Sequence, residues 1–294
     1  MKIVFLSASG YKDPAKNYGD CILIDTETEL IIYDCGSYEH ATRVLEYMRS
    51  RKYDTAKFVL SHNDSDHFDG LNTLIEANAI SGVYTLLLLK YKDELLKLID
   101  DGRISDASLT KKIEETYDNI YSLSGKVKLI DALTLPQLCP GVQVIGPKRK
   151  TALEAVAKFL DGRQGNTLDD ETIFNAICFQ LKITMDDNNG FLLCGDSAFS
   201  MIEDSVKDMR YIQLPHHGKC EIAEKIFEAK KFDINAKYYV SDNTGNSNGG
   251  SDKLVEKSYG HHVEYTKHAD IIIGKNTTWS SPYVAGKSYG NYQV

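Results

Sequence analysis

Ser61-His62-Asn63-Asp64-Ser65-Asp66-His67 sets four metal-competent side chains (His62, Asp64, Asp66 and His67) within six residues, directly after the apolar run Phe58-Val59-Leu60. The run reads as a short strand, and the polar segment as the loop leaving its carboxyl end. Alternating imidazole and carboxylate groups gathered in one loop are a poor way to stabilise a fold. Their desolvation costs on the order of several kcal/mol unless a cation sits among them. The stretch therefore reads as a site carried on a strand end, and the rest of the chain has to supply the sheet behind it.

Outward from this loop, short apolar and β-branched runs predict strands at 2–7, 21–25, 30–34, 57–61 and 82–88. Ala41, Val44, Leu45 and Met48 stand at helical spacing, which predicts an amphipathic helix over 38–51, and a second helix opens at 70–77. Residues 91–101 and 108–121 carry helical periodicity with many charged side chains, so about 89–126 is expected to be a helical insertion. Strands are expected again at 126–131 and 141–145, and a helix at 151–160. The segment 172–185 is expected to form a hairpin with 190–194 across Asp186-Asp187-Asn188-Asn189-Gly190, where Asn-Gly supplies the positive φ a tight turn needs. Helices near 200–207 and 221–230, strands at 211–214 and 237–241, a Gly/Asn/Ser loop at 242–252, a last helix and a strand at 270–274 complete the pattern. No linker divides the 294 residues, so a single domain over 1–294 is expected. Two halves of strands with helices outside predict an α/β fold, a four-layer αββα sandwich.

Acidic residues outnumber basic ones, 42 to 34, for a formal net charge of -8. That weighs against the broad basic surface used to wrap duplex DNA, though not against a small nucleic-acid footprint at a metal-rich cleft. The six cysteines are scattered without a CxxC pair; Cys21, Cys178 and Cys194 lie in apolar runs and read as small buried hydrophobes. A reducing cytoplasm is the expected location. The opening MKIVFLSASGYKDPAKNYGD is too briefly apolar for a signal peptide, and no run approaches 18 apolar residues, so no membrane span is expected.

Three further points complete the site. Asp34 ends Leu30-Ile31-Ile32-Tyr33, Asp196 follows Gly195 after Phe191-Leu192-Leu193-Cys194, and His216-His217-Gly218 follows Tyr211-Ile212-Gln213-Leu214-Pro215. All lie at carboxyl ends of expected strands, where a sheet's loops gather. With these stretches in view, the chain resembles the metallo-β-lactamase fold hydrolases, and most closely the soluble hydrolase domain of ComEC-type competence proteins. The matching stretches are NYGDCILID (17–25), IIYDCGS (31–37), LSHNDSDHFDG (60–70), FLLCGD (191–196) and IQLPHHGK (212–219), in the family's order over roughly residues 1–245. The resemblance implies two divalent metal ions and hydrolysis by a metal-activated hydroxide. It implies His62 and Asp64 at the first metal, Asp66 and His67 at the second, Asp196 bridging, and His216, with His217 as the alternative, finishing the second site. Asp34 would support the site by accepting a hydrogen bond. Asp66, Asp196 and Lys219 carry the catalytic assignment.

Two departures from the superfamily stand out. Asp64 replaces the usual His, and residues 68–215 contain no histidine; Asn175 falls about where the missing imidazole would be, as in the ComEC-type branch. Oxygen-rich sites favour Mn²⁺ or Mg²⁺, and mixed imidazole and carboxylate sites accept both Mn²⁺ and Zn²⁺. Such a centre suits phosphodiester hydrolysis as well as lactone, thioester or β-lactam hydrolysis. The ComEC-type resemblance points to a nuclease or nucleotide phosphodiesterase with a nucleic-acid or nucleotide substrate; the alternative is a small-molecule hydrolase. Lys219 is expected to meet a phosphate, while Lys148, Arg149 and Lys150, with Lys158 and Arg163, read as a solvated face. His40 is expected to cap a helix or face solvent. His261, His262 and His268, and a tail with Trp279, Tyr283, Tyr289 and Tyr292, read as surface or packing residues.

Overall fold

The computed structural model describes residues 1–99, 104–162, 165–245 and 251–274. Arg163, residues 246–250 of the Gly/Asn loop, and the tail aromatics Trp279, Tyr283, Tyr289 and Tyr292 lie outside the described residues. The chain first lays down β1 (Lys2–Phe5), β2 (Cys21–Asp25), β3 (Leu30–Cys35), β4 (Ala56–Val59), β5 (Ile80–Thr85) and β6 (Leu129–Asp131). β7 (Gln137–Cys139) and β8 (Val142–Gly146) open a second sheet. A small hairpin of β9 (Thr167–Leu168) and β10 (Glu171–Thr172) precedes its remaining strands, β11 (Gln180–Thr184), β12 (Gly190–Leu193), β13 (Tyr211–Gln213), β14 (Lys237–Val240) and β15 (His262–Tyr265). β16 (Ile271–Gly274) returns to the edge of the first sheet, giving two seven-stranded sheets ordered β16-β1-β2-β3-β4-β5-β6 and β15-β14-β13-β12-β11-β8-β7.

Period-two alternation sorts the side chains of the second sheet between two cores. Phe191, Leu193 and Tyr239 join Phe5 and Ile22 of the first sheet in the central core, whereas Leu192, Ile212, Tyr238 and Val240 pack on Ile202, Val206, Ile222 and Ile226. The latter belong to the outer helices Phe199–Lys207 and Cys220–Ala229. Across the sandwich, the Phe5 ring lies 6.0 Å from both Phe191 and Tyr239, and Tyr33 Oη donates to the Phe179 carbonyl at 2.6 Å. On the other side the helix Tyr38–Arg51 buries Ala41, Val44 and Met48. It starts on Ser37, whose hydroxyl accepts from His40 N–H, and stops at Lys52 in left-handed backbone. The four-layer αββα architecture is therefore present.

Parallel pairing decides where the loops go. β3 to β6 run parallel, and so do β12 to β15. The loops after β3, β4, β12, β13 and β14 consequently open at one edge. Between Leu88 and Tyr121 the described chain is helical, in short segments over Lys92–Ile99, Asp106–Thr116 and Asp118–Tyr121. No helix among the described residues is long and apolar enough to cross a membrane.

Three readings need correction. The segment expected as one strand over 172–185 begins with a helical turn, Ile173–Ala176, capped by the Thr172 hydroxyl on Asn175 N–H, and the strand starts only at Gln180. The cap offers the backbone a partner that competes with the sheet ladder. His40 neither caps nor faces solvent: it is fully buried, edge-on to Tyr11, and burial, with Arg43 adding, drives its pKa down to about 3. β15 was unanticipated because its alternate residues, His262 and Glu264, are exposed on a sheet edge.

Candidate metal centre

The loop carrying His62 to His67 lies against two turns that must be glycine. A Cβ on Gly19 would fall 1.7 Å, and one on Gly36 1.9 Å, from the Asp66 carbonyl oxygen. That oxygen accepts from the Asp20 N–H at 2.9 Å, so the NYGD and DCG stretches clamp the loop by close backbone approach. Asp34, at φ 59, turns the chain out of β3. Its carboxylate accepts from Ser61 N–H at 2.7 Å and meets His67 Nδ1 at 2.8 Å. The Asp66 carboxylate is oriented by Asn17 Nδ2 at 2.8 Å.

From the second sheet, Gly195 at φ 52 swings Asp196 inward, and the Asp196 N–H donates to Cys178 Sγ at 3.3 Å. Asn175 Nδ2 stands 3.5 Å from Asp196 Oδ2. After β13, His216, His217 and Gly218 occupy three consecutive left-handed positions, at φ 52, 53 and 81. Such backbone costs about 1–3 kcal/mol at each non-glycine residue and persists only where the surroundings enforce it. The result is that both rings face the cleft. His217 Nε2 lies 3.1 Å from Asp66 Oδ2, while its Nδ1 sits between Asp20 Oδ1 at 2.9 Å and the Ser241 carbonyl at 3.1 Å. His216 Nε2 lies 3.8 Å from Asp196 Oδ2, and its Nδ1 is 2.8 Å from Glu171 Oε2.

These residues converge into two overlapping groups. His62, His67 and Asp196 offer one donor atom each within 4.8 Å of one another, and so do Asp66, His67 and His217. Within the first group, His62 Nε2, His67 Nε2 and Asp196 Oδ1 are buried without a hydrogen-bond partner among the described residues. Asp196 spans the centre, with Oδ1 3.5 Å from His67 Nε2 and Oδ2 3.8 Å from His62 Nε2. Asp64, half exposed, reaches His62 Nε2 at 3.4 Å. Burial alone would push the carboxyls of Asp66 and Asp196 up, but His217 on the first and His67 on the second outweigh it and hold both well below the usual range. The imidazoles respond in reverse. Burial opposes their charge, yet Asp196 and Asp34 raise His67, and Asp20 raises His217. The centre is thus a buried cluster in which ionised carboxylates and imidazoles hold each other in their charged forms.

Of the other expected residues, Lys219 Nζ sits on Glu171 Oε1 at 2.5 Å. Lys148, Arg149 and Lys150 each face an acid, Asp204, Glu94 and Glu154 respectively. His261 stacks on Phe227 at 4.0 Å, and His262 meets Glu264. Sequence reasoning missed Asp20, Glu171 and Cys178. Asp20 stood inside a matching stretch, and its place beside Gly19 was the available signal; nothing local marked Glu171 or Cys178.

No family model matches the chain, and no curated protein matches its sequence. Among solved structures, the metallo-β-lactamase fold protein YhfI from Bacillus subtilis is similar at 13% identity and a TM-score of 0.56, covering 92% of this chain and 98% of that one. Igni18, a metallo hydrolase from the archaeon Ignicoccus hospitalis, aligns at 11% identity with a TM-score of 0.49, covering 94% and 100%. The short form of human tRNase Z aligns at 12% and 0.45, covering 93% and 99%. The fold of this chain is the metallo-β-lactamase fold.

Proposed function

We propose that this chain is a metal-dependent hydrolase of phosphodiesters, a nuclease or nucleotide phosphodiesterase, working with two divalent ions, Mn²⁺ or Zn²⁺. The observation that carries the reading is that the buried atoms His62 Nε2, His67 Nε2 and Asp196 Oδ1 make no hydrogen bond among the described residues, although opposite charges stand 3.4–3.5 Å away. Native interiors rarely leave such atoms without a partner, and a cation fits this donor set. His62 and Asp64 would hold one ion, Asp66, His67 and His217 the other, with Asp196 between them. Of the doublet, His217 takes the ligand role because its Nε2 lies beside Asp66, whereas His216 stands at the mouth against Asp196. Divalent ions bound here supply Lewis acidity, acidifying water and neutralising charge that builds on a phosphoryl group.

The protein's own groups do the positioning. Asp34 and Asp20 fix the ring orientations of His67 and His217 through Nδ1, and Asn17 fixes Asp66. Lys219 neutralises Glu171, which orients His216. The ComEC-type motifs favour phosphodiesters over acyl substrates, and six buried, free cysteines suit a reducing cytoplasm. The test is hydrolysis of bis(p-nitrophenyl) phosphate against nitrocefin and acyl thioesters, each with Mn²⁺ and Zn²⁺, followed by single-stranded, double-stranded and circular nucleic acids. Metal-dependent phosphodiester cleavage that chelation abolishes is expected. Turnover of the acyl substrates alone would overturn the reading.

A further inference from the structure

The four imidazoles at the centre are not backed alike. His67, His216 and His217 each set Nδ1 against a buried carboxylate, those of Asp34, Glu171 and Asp20. Among the described residues, His62 Nδ1 meets only neutral groups, Ser61 Oγ at 2.9 Å and Cys178 Sγ at 3.2 Å. A carboxylate behind the ring fixes its tautomer and strengthens it as a donor. The acids differ in the same sense. Asp66 is held by Asn17, and its own carbonyl by Asp20 N–H. Asp64 precedes a helical turn without capping it, and half of its side chain is exposed.

We infer that the two cation positions are unequal: the Asp66–His67–His217 pocket fills first and tightly, and the His62–Asp64 side fills second, at lower affinity. Enzyme output then follows the free divalent-metal level, because the second position empties while the first stays loaded. The inference rests on the metal-dependent reading of the same site. Preorganisation supports it on one side, where each donor has a fixed partner before any ion arrives. On the other side no carboxylate backs His62 Nδ1 among the described residues, and Asp64, though its Oδ2 stands 3.4 Å from His62 Nε2, is half exposed with no capping hydrogen bond to fix it, so ordering cost is subtracted from affinity.

Calorimetric titration of the metal-stripped full chain with MnCl₂ tests this, with manganese content per chain measured after desalting. Two binding events separated by at least about tenfold are expected, with one ion retained through desalting. Asp64→Asn, at a half-exposed position, should remove the weaker event and spare the tighter. Asp34→Asn should weaken the tighter event by about 10–100-fold and move the weaker one less; Asp20→Asn repeats that test on His217 should Asp34→Asn fail to fold. Two equal events, or loss of the tighter event in Asp64→Asn, would overturn the inequality while leaving the metal-dependent reading intact. Absence of any binding would overturn both.

Discussion

The loop at 62–67 and the turn at 215–218 bring histidines to one point by opposite means. In the first, the strain lies between chains of backbone: Gly19 and Gly36 let two other turns approach the Asp66 carbonyl more closely than any Cβ would allow. In the second, it lies within the backbone, where His216 and His217 take a conformation ordinarily left to glycine. The first device depends on partners supplied elsewhere in the chain. The second depends on its own residues and on the carboxylates Glu171 and Asp20 that receive the rings. Asp196 is where the two meet, so its loss tests the comparison most severely. Asp196→Ala should remove metal from both positions and lower turnover on the order of 10³-fold or more, since several kcal/mol of transition-state stabilisation is at stake. Elemental analysis showing unchanged metal content would refute the shared role.

Close approach predicts the next largest effect. Gly36→Ala drives a methyl group into the Asp66 carbonyl, which is backbone and has no rotamer to yield. A loss of about 3 kcal/mol or more in the metal-stripped protein is expected, at the upper end for overpacking. Denaturant unfolding should show it, with weaker metal binding alongside. A near-neutral result would mean that the loop is not clamped by those turns.

How much of this was legible follows from where the information sits. His62, Asp64, Asp66 and His67 are neighbours in sequence, so their convergence could be read before any folding was known. Apolar runs ending in Asp34, Asp196 and the His doublet announced strand ends, and parallel pairing then brought those ends to one edge. Glu171 was not legible, because β9 and β10 are two residues each and carry no periodicity. Asp20 touches His217 only through tertiary packing of NYGD against the β13 turn. The doublet's register was undecidable from sequence, since adjacent residues in regular strand or helix would point apart; only the left-handed backbone turns both rings inward.

The charge of the two histidine-bearing segments gives a prediction in pH. In the metal-stripped protein His67 and His217 have raised pKa values because Asp196, Asp34 and Asp20 outweigh burial. Their contribution to stability is complete below the unfolded value, about 6.5, and is lost as pH rises through the higher folded value. On the proposed reading the loaded protein should behave in the opposite sense, because imidazoles that ligate a metal must be neutral and metal binding releases their protons. The difference in Tm between loaded and chelator-treated protein should therefore widen from pH 6 to pH 8.5. A constant gap over that range would show that these imidazoles do not change protonation on loading.

The smallest effect isolates the strain of the second turn. Replacing His216 by Ala or by Gly removes the same imidazole and the same contact with Glu171, so the two variants differ only in backbone. At an ordinary position Ala is the more stable, because Gly loses more conformational freedom on folding. At φ 52 the order should invert, since a Cβ in left-handed backbone costs roughly 1–2 kcal/mol and the entropy of Gly returns about 0.5–1 kcal/mol of that. His216→Gly is thus expected to exceed His216→Ala in unfolding free energy by about 0.5–1 kcal/mol, while the two show equal activity. The same exchange at Gly36 penalises Ala through contact with the Asp66 carbonyl, so the penalty there should exceed that at 216 in the metal-stripped protein. Equal stability of the two His216 variants would place the strain outside the turn and make both histidine segments cases of one mechanism.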